Sequence, residues 1–406
     1  MARVTAAGLA LLLLSPPAVE LATRIPTVLQ AQARASSLRD LEAEALARRV
    51  PRDPSTTAPA AAEPLEVAPP AAPPPAPAPV ALSIPQGPVE LDGCPPPPPP
   101  PPTGPPGPPI EPWHPAVLIP EVVLPVPLTP EPWTSDLSPI DGKGMWLWQI
   151  GKTEDGDIPA IVDKAAAAGL DHLWVRVGDS RDGFYAADVL DQLVPLAHAR
   201  GMDVIGWGFP FMWDPVYDAA WSAEAIAWRA PNGDRLDGFS PDIEMATEGV
   251  QLSTLRTQVY LGLVRSVAAD LPVIATVYPA VDWLWGDYPY EAMVPYVDAF
   301  APMAYWGCKE PGAVAQQSLD RLSSMRPVHL IGQAYVMGGH GRQVAPSAAE
   351  TLRFLDVAER GGAVGASFWV WQLIGHEQWD AMVAYPWGER ALSPTGVRGV
   401  APADAR

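Results

Sequence analysis

Cysteine is almost absent. Two residues, Cys94 and Cys308, in a chain of 406 exclude a disulfide framework and a cysteine-built zinc site. Nothing local sets their geometry for a bond, so both are expected to be free thiols. Positive charge is also short, with 26 Lys and Arg against 46 Asp and Glu and a net charge of -20. That balance excludes the concentrated basic face a nucleic acid requires and leaves neutral or cationic ligands. His172, His198, His329, His340 and His376 are scattered and form no H-x-x-x-H or H-E-x-x-H spacing. No metal or other cofactor is therefore expected. The apolar run at residues 5–14 is too short to span a membrane, which takes about 20 residues.

Proline and tryptophan are abundant, and they divide the chain. Of 53 prolines, 36 lie in residues 1–140, and 14 of the 16 tryptophans lie beyond. Residues 1–25 carry one early charge, Arg3, then the short apolar run and Ser15-Pro16-Pro17, a signal-like segment. Residues 26–139 form a Pro/Ala-rich stalk with one short amphipathic stretch, LRDLEAEALARR, and an unbroken proline run at 95–102. Proline fixes φ and removes donors, so the stalk is expected to be extended or disordered. Export to a secreted or cell-surface location follows from this arrangement. Residues 391–406 are expected to be a flexible tail.

Between residues 140 and 390 short apolar strands alternate with amphipathic helices, the order of a parallel sheet. Eight strand candidates occupy 144–150, 172–178, 203–209, 238–244, 273–279, 300–306, 329–335 and 366–372. Eight such units in about 245 residues predict an α/β fold, a single (β/α)8 TIM barrel. The first strand is followed by no G-x-G-x-x-G, which counts against an open dinucleotide-binding sheet. Chemistry in such a barrel sits at the carboxyl ends of the strands.

The fourth candidate reads Asp237-Gly238-Phe239-Ser240-Pro241-Asp242-Ile243-Glu244. Alternate strand residues share a face, so Ser240, Asp242 and Glu244 project together, with Cα atoms on that face roughly 6–7 Å apart. Burying neighbouring carboxylates raises the pKa of one, which keeps it protonated as a general acid.

This strand resembles the D-x-x-D-x-D-x-E strand of family 18 glycoside hydrolases, the chitinase-like barrels. Asp237, Asp242 and Glu244 match, and Ser240 stands where that family has its middle aspartate. The resemblance implies Glu244 as acid/base, Asp242 as the group that orients a substrate acetamido arm, and Asp237 within the same motif. Pro302-Met303-Ala304-Tyr305-Trp306 is similar to that family's M-x-Y-D segment. Tyr305 is then a donor to the acetamido carbonyl, and Trp306 departs from the aspartate. The last strand resembles the one that ends in a tryptophan beneath the sugar, a place that either Trp369 or Trp371 can fill. Family 25 lysozyme-like barrels also carry Asp-x-Glu on a strand. Their first strand ends in an aspartate, whereas here it ends Trp148-Gln149-Ile150.

The remaining strand ends offer Trp146, Trp148, Trp207, Tyr278, Gln333 and Tyr335 as rings and amides for a carbohydrate. Trp213, Trp221 and Trp228 are expected to pack helices, and Gly338-Gly339-His340-Gly341 is read as a flexible turn. The expectation is a monomeric glycosidase acting on N-acetylated polysaccharide or cell-wall glycan. No strand end from the sixth to the eighth candidate supplies a second carboxylate, so the substrate's acetamido oxygen is the available nucleophile. A non-catalytic sugar-binding barrel or a surface module is the alternative.

Overall fold

The computed structural model of the chain describes residues 82–91, 93–94, 136–268, 270–337 and 342–388. The signal-like segment, most of the stalk, the 338–341 turn and the tail lie outside the described residues.

All eight expected strands are present: β1 (Gly142–Leu147), β2 (His172–Asp179), β4 (Asp203–Phe209), β5 (Gly238–Pro241), β6 (Ile274–Val277), β7 (Ala299–Pro302), β8 (Leu330–Gln333) and β9 (Gly365–Trp369). A two-residue strand, β3 (Gly183–Phe184), folds back antiparallel on β2, so the fourth candidate is β5. Parallel ladders join β5-β4-β2-β1-β9-β8 and β6-β7. Parallel bridges Phe239↔Val273 and Asp242↔Thr276 join β5 to β6, and Phe300↔Val328 and Met303↔Ile331 join β7 to β8. The ring is therefore closed, as the sequence predicts.

Helices α1 (Ile158–Ala167), α2 (Ala187–His198), α3 (Pro215–Ala227), α4 (Thr254–Val267), α5 (Tyr290–Met293), α6 (Pro311–Leu322), α7 (Ala348–Arg360) and α8 (His376–Ala384) surround it. Their starts are legible in the sequence. Asp157, Asp214 and Ser253 accept backbone N–H groups of α1, α3 and α4, filling donors left open by the first turn. Ser347 and Glu350 make a reciprocal capping box on α7.

The period of two sorts each strand into an inner and an outer face. On β2, Leu173, Val175 and Val177 join the layer between sheet and helices, while Trp174 joins the interior cluster with Trp146, Ile205, Trp207 and Ile274. Indoles fill the barrel. Trp146 stacks on Trp174 at 4.6 Å, and Trp207 and Trp369 lie 5.4 and 5.6 Å from Trp146. Beneath them, at the amino ends of the strands, His329 bonds the Ile140 carbonyl and the Ser367 hydroxyl. Burial pushes the His329 imidazole down to about 3, so it stays neutral.

The expectation of free thiols is corrected. Cys94 and Cys308 form a disulfide across 214 residues, and residues 82–91 and 93–94, expected to belong to the stalk, lie on the barrel. The backbone N–H of Gln343 donates to Gly93 O, and Ile84 packs on the outer core. Local spacing could not reveal the pair because the approach of the two residues is made by the closed barrel.

A bond that closes so long a loop removes much unfolded-state entropy, about 2–4 kcal/mol in typical cases. Reduction is expected to lower the melting temperature of the wild type and not that of a Cys94→Ser/Cys308→Ser variant. Equal melting of oxidised and reduced wild-type protein would show that the bond carries no stability. A chain starting at Asp136 is expected to fold and to melt somewhat below the reduced protein, because it also lacks the Ile84 packing and the Gly93 hydrogen bond.

Candidate active site

The extended alternation of β5 continues past Pro241. Asp242 donates its backbone N–H to Gly208 O and Ile243 donates to Thr276 O, so this segment stays clamped between β4 and β6. Ser240, Asp242 and Glu244 therefore rise along one inner face. Ser240 is fully buried and committed, donating to Ile274 O at 2.6 Å and sharing a 2.8 Å hydrogen bond with the Thr276 hydroxyl. Asp242 and Glu244 line a cavity of about 590 Å³, within the usual span of small-ligand sites. Trp146, Trp283, Trp306, Trp369, Tyr278, Tyr305 and Tyr335 supply most of its aromatic wall.

Burial pushes the Asp242 carboxyl up to about 7. The Arg176 cation opposes this and Glu248 adds to it. Glu244 is held well above the usual carboxylate range by burial first, then by Asp242 and Glu248, against a hydrogen bond from Tyr278. Burial likewise keeps the Tyr305 and Tyr335 phenols protonated and able to donate. Two neighbouring, largely desolvated carboxyls thus favour holding a proton, and Glu244 presents it to the cavity.

Of the residues expected from the sequence, Asp242, Glu244, Tyr278, Tyr305, Tyr335, Trp146 and Trp369 come together at the cavity. Trp148 is not among the lining residues; its ring lies 6.0 Å from that of Trp369, at 30° to it. Four others stand elsewhere and are corrected as ligand groups. Asp237 lies at the amino end of β5, where its carboxylate accepts from Val204 N and pairs with His198, both at 2.8 Å. Trp207 is sealed in the barrel interior, with its indole N–H on Leu147 O. Gln333 is fully buried and spends its amide on Gly307 N and Tyr335 O. Trp371 packs on Trp379 and donates to Glu154. Of the two tryptophans equal in sequence, Trp369 is therefore the one at the cavity.

Sequence reasoning missed Arg176, Glu248 and Trp283. Arg176 lies 5.3 Å over the Trp207 ring and pairs with Asp179 at 2.9 Å. Its even register with Trp174 along β2 was the available signal. Glu248 follows β5 in a short turn, where it accepts from Thr247 and from Met245 N. Trp283 is 65% exposed, on the β6–α5 connection. Trp221 and Trp228 are buried as expected, but Trp213 is 40% exposed, which corrects its reading as a helix-packing residue.

No family model and no curated protein matches the sequence. Among solved structures the chain is similar to the spore cortex-lytic enzyme SleL of Bacillus cereus, at 12% identity over 60% of this chain and 74% of that one, TM-score 0.46. It is also similar to a class V chitinase of Pseudomonas fluorescens, at 13% identity over 60% and 99%, TM-score 0.44. An endo-1,4-beta-mannanase of Rhizomucor miehei follows at 11% identity over 60% and 89%, TM-score 0.44. These are likenesses of overall shape. The barrel itself rests on the strand pairing described above.

Because burial pushes the Asp242 carboxyl up to about 7 from an ordinary value of 3.8, its ionised form costs native stability. That cost is absent below about pH 4 and complete above about pH 7. Asp242→Asn is expected to melt about 5 °C or more above wild type at pH 8, with the difference vanishing near pH 4. A pH-independent difference would place the titration elsewhere.

Proposed function

We propose that the protein is a glycoside hydrolase that cleaves N-acetylated glycans by a retaining, substrate-assisted route. The observation that carries this reading is the placement of Asp242 and Glu244 side by side in an aromatic cavity whose other walls bring no carboxylate. Among the described residues lining the cavity the acids are Asp242, Glu244 and Glu248, and all three lie in the extended segment that continues β5 and the turn that follows it. An ordinary retaining enzyme needs its second carboxylate across the sugar, about 5–5.5 Å from the acid. None stands there.

The steps follow from the chemistry of the groups present. Glu244 gives its proton to the glycosidic oxygen as the bond from that oxygen to the anomeric carbon breaks, and the leaving alcohol departs. The acetamido carbonyl oxygen closes on the anomeric carbon to form a cyclic oxazolinium. Ionised Asp242 accepts the acetamido N–H, Tyr305 donates to its carbonyl side, and Trp369 supplies an apolar face for the ring. Water then attacks the anomeric carbon as the bond from the acetamido oxygen to that carbon breaks and the acetamido group is regenerated, and it yields its proton to Glu244, which restores the acid and retains the configuration.

A binding barrel without turnover is the second reading. It is favoured by Ser240, whose hydrogen bonds to Ile274 and Thr276 offer Asp242 no proton partner. Release of reducing ends from N-acetylated oligosaccharides or cell walls separates the two readings.

Glu244→Gln keeps the shape of the acid and removes its proton. Hydrolysis is expected to fall by about 10²–10⁴-fold, with ligand affinity within a few-fold of wild type. A deacetylated substrate of equal length is expected to be inert. Comparable turnover of acetylated and deacetylated forms, or a trapped glycosyl ester on the protein, would rule the route out.

A further inference from the structure

Resting on that reading of the site, we infer that its ligand is a glycan polymer that crosses the mouth of the barrel, seated on Trp213 on one side of β5 and Trp283 on the other, and is cut internally. The strand order places this pair. β5, which leads to Asp242 and Glu244, lies between β4 and β6 in the closed ring. Trp213 stands on the β4–α3 connection and Trp283 on the β6–α5 connection. Two strand spacings separate those connections, about 10 Å at the barrel wall, more than one sugar ring spans.

Both tryptophans sit on loops that are built to hold them. In the β4–α3 loop the buried Arg256 guanidinium donates to Met212 O at 2.6 Å and Trp213 O at 3.1 Å. The Trp213 ring stacks on Phe211 at 4.5 Å and 22°, and its indole N–H donates to Gly249 O at 3.1 Å. Gly249 directly follows Glu248, which lines the cavity, so Trp213 is joined to the cavity rim. In the β6–α5 loop Arg321 donates to Ala280 O at 2.7 Å, pairs with Asp282 and lies 5.3 Å over Trp285. Trp283, two residues before Trp285, projects to solvent while also lining the cavity.

The Trp213 ring is anchored yet exposed, and Trp283 is exposed on a loop anchored beside it, so both rings contribute little to the core and stand free at the cavity rim to take a ligand. Indole faces take the apolar faces of pyranose rings. One platform beyond the cavity would fit a substrate entering by its end. Platforms on both flanks of the acid fit a chain that continues in both directions, and the bond presented to Glu244 is then an internal one. The neutral character of a polysaccharide also suits a protein with a net charge of -20.

The test uses the full chain with a water-soluble N-acetylated chitin polymer and the matching N-acetyl trisaccharide. In a Glu244→Gln background, Trp213→Ala and Trp283→Ala are each expected to lower the ratio of polymer to trisaccharide affinity by about tenfold. Trp213→Phe keeps a ring and loses the bond to Gly249, so it is expected to retain most of the ratio. Unfolding curves for each variant separate loss of a platform from loss of fold. With wild-type protein the earliest products are expected to be long and mixed in length. Unchanged ratios in both alanine variants, early products made only of short terminal units, or no binding of polymer at all would overturn the inference. Polymer binding that depends on both rings without release of reducing ends would instead sink the hydrolase reading and leave the platforms standing.

Discussion

Two carboxyl groups two residues apart on one strand cannot both ionise cheaply inside a tryptophan-lined barrel, and the surrounding site is arranged around that constraint. The indoles of Trp146, Trp174 and Trp207 fill the space beneath the cavity, so little water reaches the acids from below. Desolvation raises both groups, Glu248 adds to both, and Asp242 further raises the cost of ionising Glu244. What remains is an asymmetric pair. Arg176 draws Asp242 toward the anion, while Glu244 has only the Tyr278 hydroxyl to oppose its burial.

Holding such a pair requires walls that do not yield. The cavity is framed by connections whose carbonyls are gripped by arginine: Met212 and Trp213 by Arg256, Ala280 by Arg321, and Gly307 by Arg342. The last of these is fully buried and paired with Glu350 at 2.7 Å, and Glu350 also receives the Trp306 indole N–H. A buried ion pair of this kind is weak evidence for stability, because desolvation offsets its attraction. Its geometric effect is clearer. One carboxylate ties the β7 loop, the β8–α7 loop and the start of α7 together at a single point, and the Cys94–Cys308 bond adds a covalent tie at the same rim. Loops fixed in this way hold functional side chains in place on the rigid barrel.

The fold was legible because it depends on periodicity and local caps. Alternation along β2 or β4 names the inner and outer residues without knowledge of any neighbour, and Asp157, Asp214 and Ser347 announce helices that follow. The paired carboxylates of β5 were legible for the same reason, since an i, i+2 relation is local. What was hidden depends on contacts distant in sequence. Cys94 meets Cys308 only after the ring closes. Asp237 shares a motif with Glu244 but sits at the other end of the strand, where the His198 and Val204 groups claim it. Gln333 looked like a free amide until the Gly307 loop folded onto it. Trp369 and Trp371 share parity, yet the chain turns into a short 3-10 segment at Trp371–Leu373, which swings the second ring out of the cavity.

Ser240 marks the sharpest departure from the resembled strand, and its surroundings show what replaces an acid there. A third carboxyl beneath Asp242 would exchange a proton with it and so set which group is charged. The serine hydroxyl instead donates to the Ile274 carbonyl, and with Thr276 it closes the gap between β5 and β6. Ionisation of Asp242 then has to be favoured from another direction. Arg176 is available because β2 pairs with β4 in the register Arg176↔Trp207, and β4 pairs with β5 in the register Trp207↔Ser240. The guanidinium thus lies over the indole one layer below Asp242, partly desolvated, where a cation acts more strongly than in water. A fixed positive charge, unlike a carboxyl, cannot itself accept the proton that Asp242 releases. It biases the pair toward charge on Asp242 and a proton on Glu244, the distribution in which one group can orient an amide and the other can act as an acid.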